Sequence, residues 1–149
     1  MKAWPSLPPT KPALSLEILR GRSVLVLDDE ESLRLLLEEG LSSQGLRVDC
    51  AATVEEALPL IQRSSYDILL CDLHLTAGGY FVDGREAAGR LLSAARSPKP
   101  GVVYMTGDLM DSAQAVPAHG EPGYLQKPFR ISDVIALIVE ALSPAVTHN

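Results

Sequence analysis

Three short apolar runs, Val24-Leu25-Val26-Leu27, Ile68-Leu69-Leu70-Cys71 and Val102-Val103-Tyr104-Met105, each stop on polar residues: Asp28-Asp29-Glu30, Asp72 and Thr106. Runs of this length bounded by polar loops read as strands buried on both faces, which belong to a parallel sheet covered by helices on each side. The intervening stretches supply the helices. Across residues 31–44, Leu33, Leu36, Leu37, Gly40 and Leu41 form an amphipathic stripe that Gly45 is placed to stop. Arg47-Val48-Asp49-Cys50-Ala51 alternates polar and apolar, which suits an edge strand. Thr53 and Glu56 have the spacing of a capping box, so a helix starts there. Pro59 lies inside that helix, where proline costs about 3 kcal/mol, and predicts a distorted or interrupted segment. Residues 73–83 read as a long loop with Gly78-Gly79 and two aromatics. Gly84 then leads into a helix with Ala88, Leu91, Leu92 and Ala95 on one face. Residues 112–116 make barely more than a turn before Pro117, and Gly123-Tyr124-Leu125-Gln126 is a brief fifth strand. Ser132 is expected to cap a last helix running to Leu142, apolar on more faces than packing on a sheet requires. Burial against the N-terminal segment and a homodimer face both account for that breadth. Strands alternating with helices give an α/β fold, a doubly wound parallel sheet of five strands in the order 2-1-3-4-5.

A chain of 149 residues with 46% hydrophobic content has room for one domain with a real core and none for a second. The domain is expected over residues 22–143, after a Pro-rich arm at 1–21 and before a short tail at 144–149. Within the arm, Leu14, Leu16, Ile18 and Leu19 suggest a helical turn that docks on the body. The net charge of −6, without a basic cluster, argues against nucleic-acid binding. The N-terminus lacks the apolar core of a signal peptide, and no apolar run approaches the roughly 18 residues of a membrane span, so the expectation is a soluble cytoplasmic protein. Cys50 and Cys71 lack metal-type spacing and read as two reduced, buried thiols within strands. His119 and His148 read as solvated loop and tail residues.

In a sheet of this order, ligands bind beyond the carboxyl ends of the strands where the winding reverses, between the first and third strands. Asp28, Asp29 and Asp72 converge there. Carboxylates crowded into one crevice call for a hard divalent cation, and Mg²⁺ suits one or two carboxylates completed by water and phosphate oxygens. Lys127 adds a mobile positive charge and Thr106 a hydroxyl donor, both suited to the oxygens of a phosphoryl group in transfer. Together these groups describe a site that accepts a phosphoryl group on a carboxylate.

With Asp28-Asp29, Asp72, Thr106 and Lys127-Pro128-Phe129 at successive strand ends, the sequence resembles the response-regulator receiver domains of two-component signalling, over nearly all of residues 22–143. The resemblance implies a flavodoxin-like receiver fold. It also implies that Asp72 is phosphorylated by a histidine kinase or histidine phosphotransfer protein. Mg²⁺ would be held by Asp28, Asp29, Asp72 and the backbone carbonyl of His74. Thr106 and Lys127 would contact the phosphoryl oxygens, the Lys127-Pro128 bond would be cis, and Thr106 with Tyr124 would form the switch pair. The protein would then be a phosphoacceptor regulator with self-catalysed phosphotransfer and autodephosphorylation, not a turnover enzyme. No output domain, DNA-reading helix pair or hydrolase motif is recognisable in the sequence, so signalling is expected to travel by protein contact. Residues 20–24 also resemble the joint preceding receivers at the ends of hybrid histidine kinases. Two departures stand out: Thr76 occupies the place of a usual proline, and Gly84 lies farther from the phosphoacceptor than usual, which predicts an enlarged loop and a difference in partner choice or phosphoryl lifetime. A phosphorylation-independent module on the same fold is the alternative. An aspartyl-nucleophile Mg²⁺-dependent phosphatase is another, although Asp28-Asp29-Glu30 lacks that family's DxD spacing.

Overall fold

The computed structural model describes residues 16–107 and 123–143. Expectations for the arm before residue 16, the turn at 112–116, Pro117, His119, His148 and the tail fall outside the described residues. Among the described residues, after a helical turn at 16–19, the elements follow in the order β1 (Ser23–Leu27), α1 (Glu31–Ser42), β2 (Arg47–Ala51), α2 (Val54–Arg63), β3 (Ile68–Asp72), β4 (His74–Ala77), β5 (Tyr80–Asp83), α3 (Gly84–Ala94), β6 (Gly101–Thr106), β7 (Gly123–Gln126) and α4 (Ile131–Leu142). Five of the strands form one parallel sheet in the order β2-β1-β3-β6-β7, the doubly wound arrangement expected, with β2 at an edge.

The period of two in the central strands divides the core into two layers. Leu25, Leu27, Leu69 and Cys71 point to one side, against Ala57 and Ile61 of α2 and Ala87, Ala88 and Leu91 of α3. Val24, Val26, Ile68 and Leu70 point to the other, against Leu37 and Leu41 of α1 and Val134 and Ile138 of α4. The helical turn at 16–19 docks on this second layer, where Leu19 is fully buried. Gly40 lets α4 cross α1 closely: a Cβ there would lie 2.7 Å from the Ile131 side chain. The anticipated stripe of α1 is met at Leu33, Leu37, Gly40 and Leu41, while Leu36, with Leu35, lies exposed.

Several local expectations are corrected. Pro59 neither interrupts α2 nor ends it. It sits on the exposed face, so the Glu55 carbonyl it leaves without a helical donor lies toward water. Meanwhile Val54, Ala57 and Ile61 hold the other face in the core. The cap of α2 is as expected, the Glu56 N–H donating to Thr53 Oγ1 at 3.2 Å, while the Glu56 carboxylate takes the Ala52 N–H at 2.8 Å. Helix α4 begins at Ile131 rather than after Ser132, because the Asp133 carboxylate accepts the Arg130 N–H at 3.0 Å. The expected loop at 73–83 is a β-hairpin, β4 pairing antiparallel with β5 through Gly78 and Gly79. Both glycines have positive φ, 58° and 84°, as a tight two-residue hairpin turn requires.

Candidate functional site

Strands β1 and β3 are neighbours, and both end on acids at the same edge of the sheet. Asp28 is fully buried and Asp72 nearly so, while Asp29 sits at the rim. One oxygen from each of the three carboxylates can be chosen so that all lie within 4.8 Å of one another. Lys127, just past β7, sends its Nζ between two of them, donating to Asp28 Oδ2 and Asp72 Oδ2 at 3.1 Å each. The Lys127-Pro128 peptide bond is cis, as expected. The Lys127 N–H also donates to the Thr106 carbonyl at 2.7 Å, tying β7 to the end of β6. Backbone amides complete the setting. Glu30 N–H donates to Asp28 Oδ1 at 2.8 Å and His74 N–H to Asp72 Oδ1 at 3.1 Å.

Burial pushes the Asp28 carboxyl above its ordinary pKa; the Glu30 N–H opposes the rise, the Asp72 charge adds to it and Lys127 subtracts. Burial works against the Lys127 ammonium, but Asp28 and Asp72 outweigh it and hold that pKa above the ordinary lysine value. Three carboxylates matched by one ammonium leave the cluster short of positive charge. Oxygen donors at this spacing fit a small hard cation. Above them opens a cleft of about 500 Å³ lined by Asp29, Asp72, His74, Gly107 and Lys127.

The structure therefore brings Asp28, Asp29, Asp72 and Lys127 into one cluster. Thr106 ends β6 at the same sheet edge, fully buried, beside Gly107 of the cleft wall. The exposed His74 ring lies 5.7 Å from the Phe81 ring across the hairpin, and its backbone N–H is what reaches Asp72. Tyr124 pairs in register with Tyr104, their ring centroids 5.6 Å apart, and the Arg85 guanidinium lies 5.8 Å from each.

Sequence reasoning missed the Tyr104 and Arg85 partners of Tyr124. It also missed that Thr76 donates to Asp29 Oδ2 through both its N–H, at 3.2 Å, and its hydroxyl. For the second a partial signal existed, since Gly-Gly followed by Tyr80-Phe81-Val82 marks one arm of a hairpin, although residues 74–77 hold a single strong β-former, Thr76. That signal would have brought Thr76 back over the site.

A doubly wound sheet with an acidic cluster at its switch point and a lysine reaching in from the last strand defines a class of phosphoacceptor-type folds. The response regulator receiver domain family model matches residues 24–139, and the chain belongs to that family. It is 31% identical over 121 residues to the DNA-binding transcriptional regulator NtrC of Salmonella typhimurium, covering 80% of this chain but 24% of NtrC. It thus spans about a quarter of the length of the curated relatives it matches. The fold is that of the chemotaxis protein CheY4 of Vibrio cholerae, with a TM-score of 0.68 at 23% identity over 80% of this chain and 98% of that one. A response regulator of Burkholderia pseudomallei, solved with a phosphorylated aspartic acid, calcium ion and citrate, aligns with a TM-score of 0.61 at 28% identity, covering 78% of this chain and 66% of that one.

Proposed function

We propose that this receiver domain is a phosphorylation-dependent switch in which Asp72 accepts a phosphoryl group from a phosphohistidine on a histidine kinase or histidine phosphotransfer protein. The observation that carries the reading is Lys127 Nζ bridging Asp28 and Asp72 at the mouth of the cleft. An Asp72 oxygen attacks phosphorus as the donor P–N bond breaks, and the imidazole leaves with that electron pair. Lys127 releases its carboxylate partners to pair with the phosphoryl oxygens, and the Thr106 hydroxyl donates to another. The buried setting makes both contacts stronger than they are in water. Asp28, Asp29, Asp72 and the His74 carbonyl would hold Mg²⁺, which neutralises charge on the transferring group when bound. The protein of known structure that carries a phosphorylated aspartic acid also holds a calcium ion, which supports a divalent cation here.

Phosphorylation would draw Thr106 toward Asp72 and change the seat of Tyr124, reshaping the surface around β7 and α4, through which the signal leaves by protein contact. Half-buried Ile135 and Val139, one turn apart on α4, suit a second copy of the chain on that flank. We place the domain in the cytoplasm, where Cys50 and Cys71 stay reduced; among the described residues no helix is long and apolar enough to cross a membrane.

The test is incubation with acetyl phosphate and Mg²⁺, followed by intact mass measurement. Stoichiometric addition of one phosphoryl group, lost in Asp72→Asn and on chelation of the metal, is expected. Turnover of phosphate esters would point instead to a phosphatase, and no labelling to a passive module.

A further inference from the structure

The hairpin β4–β5 has two unlike faces. Cross-strand partners share a face, so His74, Thr76 and Phe81 lie on one side and Leu75, Ala77, Tyr80 and Val82 on the other. The second side packs on the body except at Tyr80, which is exposed at the turn: Leu75 is buried, and Leu75, Ala77 and Val82 line a small cavity with Thr53 and Val54 at the start of α2. On the first side His74 lines the cleft. There Thr76 spends both its backbone N–H and its hydroxyl on one oxygen, Oδ2 of Asp29. At the hairpin's far end Gly84 is pressed against the phosphoacceptor backbone, where a Cβ would lie 2.1 Å from the Asp72 carbonyl oxygen. The hairpin is thus pinned between the two acids, Asp72 by its backbone and Asp29 by its side chain.

Two donors on Oδ2 restrain the Asp29 rotamer, and neither of them uses the lone pairs of Oδ1. A carboxylate at a partly exposed rim otherwise samples several rotamers and loses that freedom on binding. Neighbouring hydrogen bonds that orient a metal-ligating carboxylate are typically worth about 10–100-fold in metal affinity.

We propose that Thr76 is a positioning residue for the cation site: it holds Asp29 in the binding geometry, and so couples occupancy of the site to the anchoring of the hairpin. The proposal rests on the cation-assisted reading above. Linkage makes the coupling reciprocal, so a cation that gains affinity from the anchored hairpin must stabilise that anchoring by the same factor. The Thr76 amide reports it directly, because its hydrogen lies in the bond to Asp29.

The experiment titrates MgCl₂ alone into the full chain by calorimetry, for the parent, Thr76→Val and Thr76→Ser, and follows hydrogen exchange of residues 74–83 with and without Mg²⁺. Thr76→Val, which keeps the β-branched shape and loses the hydroxyl, is expected to weaken Mg²⁺ binding about tenfold, and Thr76→Ser to restore most of it. In the parent, Mg²⁺ is expected to slow exchange at the Thr76 amide, with much less slowing in Thr76→Val. Parent-like or tighter Mg²⁺ binding by Thr76→Val overturns the proposal while leaving the phosphoacceptor reading intact. So does exchange at the parent Thr76 amide that ignores Mg²⁺, a result independent of how any variant folds. A parent chain that binds no Mg²⁺ removes the cation-assisted reading and the proposal together.

Discussion

At Gly84 and Asp28 the requirements of fold and site meet in single atoms. Most glycines tolerate a methyl group when their φ is ordinary, but a Cβ on Gly84 would meet backbone, lying 2.6 Å from Leu73 Cα as well as against the Asp72 carbonyl. Backbone gives way less readily than a side-chain tip, so Gly84→Ala is expected to cost roughly 2 kcal/mol or more, read from urea unfolding. It is also expected to slow labelling of Asp72, whose carbonyl carbon it displaces. Asp28 presents the opposite case, a residue whose chemistry works against the fold. Its raised pKa means that the folded state prefers the neutral acid. That preference stabilises fully below the unfolded value, near 3.8, and is lost as pH rises through the higher folded value. Asp28→Asn cannot ionise and leaves Lys127 its second partner, Asp72. In chelator, its melting temperature is therefore expected to exceed that of the parent by a margin that widens from about pH 4 to pH 7. A margin that stayed flat or narrowed over that range would show that Asp28 carries no burial cost.

At the scale of elements, what was legible in the sequence depended on whether the signal was periodic or local. Strands β1, β3 and β6 are continuous apolar runs ending on polar residues, and their burial pattern follows directly. The edge position of β2 followed from its alternation. The hairpin was hidden because its strands are only four residues long and its outward face mixes histidine, threonine and phenylalanine, so a polar loop and a half-exposed ribbon look alike. The register of α1 held for Leu33, Leu37, Gly40 and Leu41, but Leu36 was misplaced because leucines occupy positions 35, 36 and 37 in succession, and the neighbours in the fold choose which faces inward. Helix α2 shows the same override of local preference. Pro59 removes one helical hydrogen bond, yet burial of Ala57 and Ile61 keeps the segment helical. Pro59→Ala restores that donor, with part of the gain offset by a freer unfolded chain. A net stabilisation of about 1–2 kcal/mol is expected in denaturant unfolding.

Over the whole molecule the carboxylate cluster emerges from topology, since residues more than forty positions apart, such as Asp28 and Asp72, meet only because β1 lies beside β3 in the sheet. The strand order was readable once one edge strand was recognised. The contacts around Tyr124 were not, because Arg85 and Tyr104 come from separate elements with no shared motif. The same sheet gathers a second set of protonated groups whose effect is felt by the fold as a unit. Burial pushes the Cys71 thiol up to about 12 and the Cys50 thiol, half-buried rather than buried as expected because it lies on the edge strand, to about 11. Burial also raises the Tyr66 phenol, helped by its 2.6 Å hydrogen bond to Asp49 across β2. In the unfolded chain the thiols titrate near 9.0 and the phenol near 10.0. Their preference for the protonated folded state is complete below those values and is lost as pH climbs through the higher folded ones. Stability is therefore expected to fall steeply between about pH 9 and pH 11. Replacing all three, as Cys50→Ala, Cys71→Ala and Tyr66→Phe, lowers stability at pH 7.5 through lost packing but is expected to flatten that alkaline slope. Melting temperatures measured across the range decide it: parallel curves for parent and triple variant would place the alkaline loss in other groups, and a shallower curve for the variant would place it in these two thiols and this phenol.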